Sequence, residues 1–150
     1  MPLELSAGAV VFRREKGKIL FLLLYRKEHE HYAEAWLLPR GIIEEGEELK
    51  DTVKREVEEE TGIKDLEFVE GFKASNKWFY NKDGKTIFKV ATYFLAETKT
   101  EDVKLSFEHD DYKWSSEAET LTYKGDRDIV KKAAAFLKPG CRRSLGSSSL

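Results

Sequence analysis

At 150 residues the chain is the length of one ordinary domain, and 41% apolar content with three tryptophans fits a single hydrophobic core. No apolar run is long enough to span a bilayer, no signal-peptide pattern opens the chain, and the lone Cys141 can form no intramolecular disulfide. A cytoplasmic, reducing setting is therefore expected, while 26 basic against 28 acidic residues exclude the electrostatic footprint of a general nucleic-acid binder.

Leu5–Phe12 is small and β-branched and predicts a buried strand. Arg13–Gly17 reads as a charged turn, and Lys18–Tyr25 as a second strand. The polar stretch Arg26–Glu34 predicts a loop, and Trp36-Leu37-Leu38 is a short apolar segment stopped by Pro39. Gly41–Glu48, with two glycines and little periodicity, reads as another loop. Leu49, Val53 and Val57 then recur every four residues, a helix face that ends at Gly62.

Beyond it, Lys64–Ala74 is strand-like. Asn81-Lys82-Asp83-Gly84 carries turn chemistry between Lys77–Tyr80 and Thr86–Glu97, which predicts a hairpin. Val103–Leu105 and Tyr112–Trp114 are short strand candidates, and Asp128–Leu137 is an amphipathic helix with Ile129, Ala133, Phe136 and Leu137 on one side. Residues 1–138 thus read as one domain without repeats. Residues 139–150, with three serines in a row, read as a disordered tail with the look of an expression-vector remnant.

Charge is concentrated in one place. Residues 44–60 hold nine carboxylates against Lys50, Lys54 and Arg55. On the predicted helix Glu56, Glu59 and Glu60 are three and four residues apart and leave one face, whereas Glu58 points to the other side. Carboxylates aimed at one spot repel unless a cation joins them, and hard oxygen donors favour Mg²⁺ or Mn²⁺. Spacing alone fits a solvated acidic helix equally well.

The segment GIIEEGEELKDTVKREVEEETGI, Gly41–Ile63, resembles the Nudix box: G, five residues, E, seven residues, R-E-apolar-x-E-E-x-G-apolar. Gly41, Glu47, Arg55, Glu56, Val57, Glu59, Glu60, Gly62 and Ile63 all match. At ordinary residue frequencies such a match arises by chance with a probability on the order of 10⁻⁸ at a given start. The resemblance implies an α/β fold, a mixed sheet sandwiched between helices, and hydrolysis of a phosphoanhydride with Mg²⁺ (Mn²⁺ as a substitute). It also implies metal ligation by Glu56, Glu59, Glu60 and the Gly41 carbonyl. Arg55 would orient those carboxylates and Glu47 would support the site.

Ser6–Phe12, Glu70-Gly71-Phe72-Lys73 and Leu105–His109 with Tyr112 and Trp114 resemble the asymmetric diadenosine tetraphosphate hydrolases. That likeness implies cleavage to ATP and AMP, with Glu108 as metal ligand or base; Glu59 and Glu60 are the other candidate bases. The alternatives within the class are a nucleoside triphosphate, a nucleoside diphosphate-sugar or a 5′-triphosphorylated RNA end; a non-catalytic nucleotide-binding module is a further one. Arg40 stands where the family usually has lysine, and guanidinium and ammonium are not interchangeable toward phosphate.

Of the cations Arg26, Lys27, Arg40, Lys73, Lys85 and Lys89, Arg40 and Lys73 adjoin recognised motifs and are the candidate phosphate contacts. For the base, strand alternation puts Trp78 and Tyr80 on one face as candidate stacking platforms and Phe79 in the core. The three aromatics equally fit plain hairpin packing, with Tyr25, Tyr32 and Tyr112 as the next candidates. His109 suits either a metal or phosphate contact or a plain hydrogen bond. His29 and His31 have no site-like spacing, and Trp36 and Trp114 read as core.

Overall fold

The computed structural model describes residues 2–30, 33–121 and 126–138; the expected tail, Cys141, His31 and Tyr32 lie outside the described residues. Strands β1 (Leu3–Glu15) and β2 (Lys18–Arg26) form an antiparallel hairpin. The turn between them takes positive φ at Lys16 and Gly17, the backbone that matches the twist of two paired strands. Strands β3 (Ala35–Leu37) and β4 (Arg40–Ile42) follow, then helix α1 (Leu49–Thr61). The chain continues through β5 (Glu67–Phe68), β6 (Ala74–Lys82), β7 (Lys85–Glu97), β8 (Asp111–Ser115), the single turn α2 (Glu117–Thr120) and α3 (Arg127–Leu137).

Among the described residues the strands make one mixed sheet. The order β3-β2-β1-β7-β5 carries β4 on β1, β6 on β7 and β8 on β2. The β1–β7 pairing is parallel and joins Leu3–Phe12 to Phe88–Glu97; the other pairings are antiparallel.

Alternation along β1 explains the two cores. Ala7, Ala9 and Val11 face one side with Val53 and Val57 of α1, while Val10 and Phe12 face the other with Ile129, Val130, Ala133 and Leu137 of α3. The sheet is therefore sandwiched between helices, as the resemblance implies. Val53 and Val57 are fully buried. Each contributes about 1.5–3 kcal/mol by that burial and fixes which face of α1 is turned from the sheet.

Several local expectations need correction. Arg40–Ile42 is strand, because the small Gly8 and Ala7 let that segment pair with β1. In the expected strand Lys64–Ala74, Glu67 and Phe68 pair with β7, and Gly71 at φ 92° breaks the extended run. Val103–Leu105 is not a strand; its apolar side chains pack on the α1-side core. Helix α2, capped by the Ser116 hydroxyl, was not expected. The hairpin turn is tighter than predicted, with Asp83 and Gly84 both at positive φ.

In β6 the alternation holds but the faces are reversed. Phe79 is 60% exposed and stacks on Phe88 at 4.8 Å, whereas Trp78 and Tyr80 are half-buried and Trp78 packs against the α3-side core. Trp36 and Trp114 pack on the cores as expected.

Candidate functional site

The site is built around α1. Glu48 and Asp51 close a reciprocal capping box at its start, and Gly62, left-handed at φ 77°, ends it by donating its N–H to the Glu58 carbonyl at 2.8 Å. With Val53 and Val57 pinned to the sheet, Arg55, Glu56, Glu59 and Glu60 border the segment 40–47. Glu58 is exposed, as the helix face predicts.

Arg55 is the hub. Its Nε and Nη2 grip Glu47 at 2.7 and 3.0 Å, and Nη1 reaches Glu56 at 2.7 Å and Glu59 at 3.3 Å. Nη2 also donates to the Ile42 carbonyl at 3.1 Å. A planar fork serves these acceptors at once, which a point charge cannot do. The fork, the Glu44 amide and the Thr52 hydroxyl hold the Glu47 carboxyl down to about 2. Glu47 therefore stabilises the fold above its unfolded pKa, and that contribution is lost as pH falls from about 4.5 through about 2. A Glu47→Gln variant is expected to melt below wild type at pH 7, with the gap closing toward pH 2. Equal melting temperatures at pH 7 would remove Glu47 from the network.

Gly41 has no room for a side chain. An added Cβ would stand 1.9 Å from the Glu56 carboxyl carbon and 2.1 Å from its Oε1. The box glycine thus lets the Glu56 carboxylate lie against the β4 backbone, where burial raises its pKa despite Arg55.

Glu60 has the most buried carboxylate of this group, its side chain 5% exposed. Burial raises its pKa, while His109, whose Nε2 lies 3.1 Å from Oε1, and the Arg40 backbone N–H pull it down. Its Oε2 is buried without a hydrogen-bond partner among the described residues. His109 comes from the loop before β8, which is tied to the end of α1 by Lys104 N–H to the Thr61 carbonyl and Ser106 N–H to the Glu60 carbonyl. The same loop carries exposed Glu108. Donor atoms of Glu60, Glu108 and His109 lie within 4.8 Å of one another, the one such trio among the described residues. Glu56 and Glu59 are instead turned to Arg55, so the three helix carboxylates do not meet at a single point here.

Arg40 lies on the other face of β4. Its Nη1 donates to the Tyr93 hydroxyl at 2.9 Å, and its guanidinium sits 5.0 Å over the Trp78 ring. The Tyr80 hydroxyl donates to Glu4 at 2.9 Å. Lys73 does not join them: it is exposed, with its ammonium 6.0 Å from the ring of Phe94, a residue of the α1-side core. Sequence reasoning singled out neither Tyr93 nor Asp126 on the α3 side. A buried tyrosine inside an apolar strand and an aspartate opening a helix carry no signal of their own.

The NUDIX domain profile matches residues 2–134. The chain belongs to the NUDIX family. It is 32% identical over 136 residues to the asymmetrical bis(5'-nucleosyl)-tetraphosphatase of Caenorhabditis elegans, covering 88% of this chain and 95% of that one. The Rattus norvegicus protein of the same name is 35% identical over 119 residues, covering 73% and 76%. The crystal structure of a C. elegans Ap4A hydrolase binary complex superposes with a TM-score of 0.74 at 31% identity, over 89% of this chain and 97% of that one. Nudix hydrolases use divalent metals, and the residues here fit one: hard oxygen donors, an unpartnered buried Glu60 oxygen and a glycine backbone open to Glu56. Among the described residues no helix is long and apolar enough to cross a membrane.

Proposed function

We propose that this Nudix hydrolase cleaves diadenosine tetraphosphate with water to ATP and AMP, using Mg²⁺. The observation that carries the reading is the convergence of Glu60, Glu108 and His109 at the end of α1, with the Arg40 backbone beside Glu60. Alongside it stands the likeness to bis(5'-nucleosyl)-tetraphosphatases along most of both chains. Divalent cations held among Glu56, Glu59, Glu60, Glu108 and the Gly41 carbonyl would neutralise phosphate charge and make a bound water more acidic.

The chain's own residues do the rest. Arg55 sets Glu56 and Glu59 in place, and Glu47 sets Arg55. Glu108, exposed on the loop yet close to Glu60, would take a proton from the attacking water, with Glu59 and Glu60 as the other candidates. Arg40 offers its guanidinium to phosphate, and Trp78 beside it offers a ring to an adenine. Tyr80, bound to Glu4 and two register pairs further along β6, is the second ring.

Incubation with diadenosine tetraphosphate and Mg²⁺, followed by chromatography, is expected to give ATP plus AMP. Two ADP, or no cleavage while a nucleoside triphosphate or a nucleoside diphosphate-sugar is consumed, would defeat the substrate assignment. Trp78→Ala, once shown to fold, should raise KM for the dinucleotide about tenfold, within the roughly 1–3 kcal/mol that base–aromatic stacking contributes, and weaken inorganic tetraphosphate less, through the Arg40 guanidinium that rests on the same ring. Equal losses on both substrates would mean that Trp78 merely packs.

A further inference from the structure

Asp126 stands at the N-cap of α3, the position where an aspartate side chain ordinarily accepts an N–H of its own helix. Here its side chain makes no such bond. Oδ2 accepts the Leu38 N–H at 3.1 Å, and Oδ1 accepts the Tyr93 hydroxyl at 3.4 Å and lies 3.8 Å from Arg40 Nη1. Tyr93 is fully buried and Asp126 is 8% exposed, so both groups have left water for these partners. Such burial is costly unless the partners are held in register.

Among the described residues the side-chain contacts of Asp126 lead, directly or through Tyr93, to one strap, Leu38-Pro39-Arg40. The strap is also pressed on β1: a Cβ at Gly8 would stand 2.3 Å from the Pro39 carbonyl and 2.6 Å from Arg40 Cβ. Arg40 is therefore held by its main chain on Gly8 and by its guanidinium on Tyr93, Asp126 and Trp78. Burial disfavours the charged guanidinium, and Tyr93 and Asp126 more than offset it. The Arg40 backbone N–H meets Glu60, while its guanidinium is fixed on the opposite face of β4. A fixed guanidinium on the strand that borders the carboxylate cluster has a phosphate as its natural ligand.

We infer that Asp126 and Tyr93 are positioning residues that fix the Arg40 guanidinium for the polyphosphate chain of the substrate, trading the cap of α3 for that purpose. This inference rests on the polyphosphate reading above. It assigns a role on the α3 side of the sheet to two residues outside the Nudix box.

The test is a double-mutant cycle in the whole protein. The affinity for inorganic tripolyphosphate with Ca²⁺ is measured by calorimetry, and KM and kcat for diadenosine tetraphosphate with Mg²⁺. Asp126→Asn should weaken tripolyphosphate binding and raise KM about tenfold, with kcat changed less than twofold. In an Arg40→Met background the same substitution should change either quantity less than twofold, since nothing is left to position. Tyr93→Phe removes only the hydroxyl and should act in the same direction, about threefold, and again only when Arg40 is present. That variant carries the test if Asp126→Asn does not fold.

Losses that multiply regardless of Arg40, a fall in kcat at constant KM, or wild-type affinity in both variants would overturn the inference, as would a wild-type protein that binds no tripolyphosphate. A wild type that binds tripolyphosphate but does not cleave diadenosine tetraphosphate would instead defeat only the substrate assignment.

Discussion

Replacing Glu60 by glutamine is expected to lower kcat by about 10²–10⁴-fold, the range that one well-placed acid–base or ligand group supplies. Glu60 is isosteric with glutamine, so the packing around it survives while the charge is lost. Its carboxylate is the buried member of the donor trio, and its Oε2 has no partner among the described residues. Desolvation of that kind is sustained by something that binds a carboxylate, and a divalent cation does so. The control is on the same helix: Glu58→Gln removes an exposed charge and should change kcat less than twofold. Glu59→Gln is expected to follow Glu60, because Glu59 shares Arg55 with Glu56. Circular dichroism of each variant and Mn²⁺ affinity by electron paramagnetic resonance complete the measurement. Equal losses at Glu58, Glu59 and Glu60 would contradict the helix-face assignment.

Loss of Arg55 should be the second large effect, and it should appear in metal affinity, rate and stability together. Arg55→Ala leaves Glu47 and Glu56 facing each other with side chains 17% and 14% exposed and no cation between them. Like charges so placed repel, and the β4 backbone loses the bond at Ile42 that keeps Gly41 against Glu56. Groups that orient metal ligands typically contribute 10–100-fold to metal affinity or activity, and a loss of about that size is expected. Arg55→Lys should restore part of it, since an ammonium supplies charge without the fork that spans Glu47 and Glu56. The thermal midpoint should fall in the alanine variant at pH 7. Wild-type Mn²⁺ affinity in Arg55→Ala would show that the hub serves the fold alone.

What was legible in the sequence is what short-range periodicity encodes. A repeat of four residues put Val53 and Val57 inward, left Glu58 outward and ended α1 at Gly62, and the structure agrees at each. Asp-Gly between two apolar runs named the β6–β7 turn because few residue pairs tolerate two positive φ angles. The Nudix-box resemblance implied an Arg55 that orients the glutamates, and the structure joins it to Glu47 and Glu56, which the consecutive loop and helix bring within its reach.

Tertiary structure decided the rest, and the reason is geometric. A period of two says that Phe79 opposes Trp78 and Tyr80, but not which side the second core occupies; α3 decided that, and Phe79 lies on the open side. Glu60 meets His109 across 49 residues, and Leu38 meets Asp126 across 88. Contacts between segments so far apart depend on strand order, above all on the parallel β1–β7 pairing that brings Tyr93 beneath Arg40. The box resemblance named the carboxylates that would hold a cation; only the folded sheet decided which of them face one another.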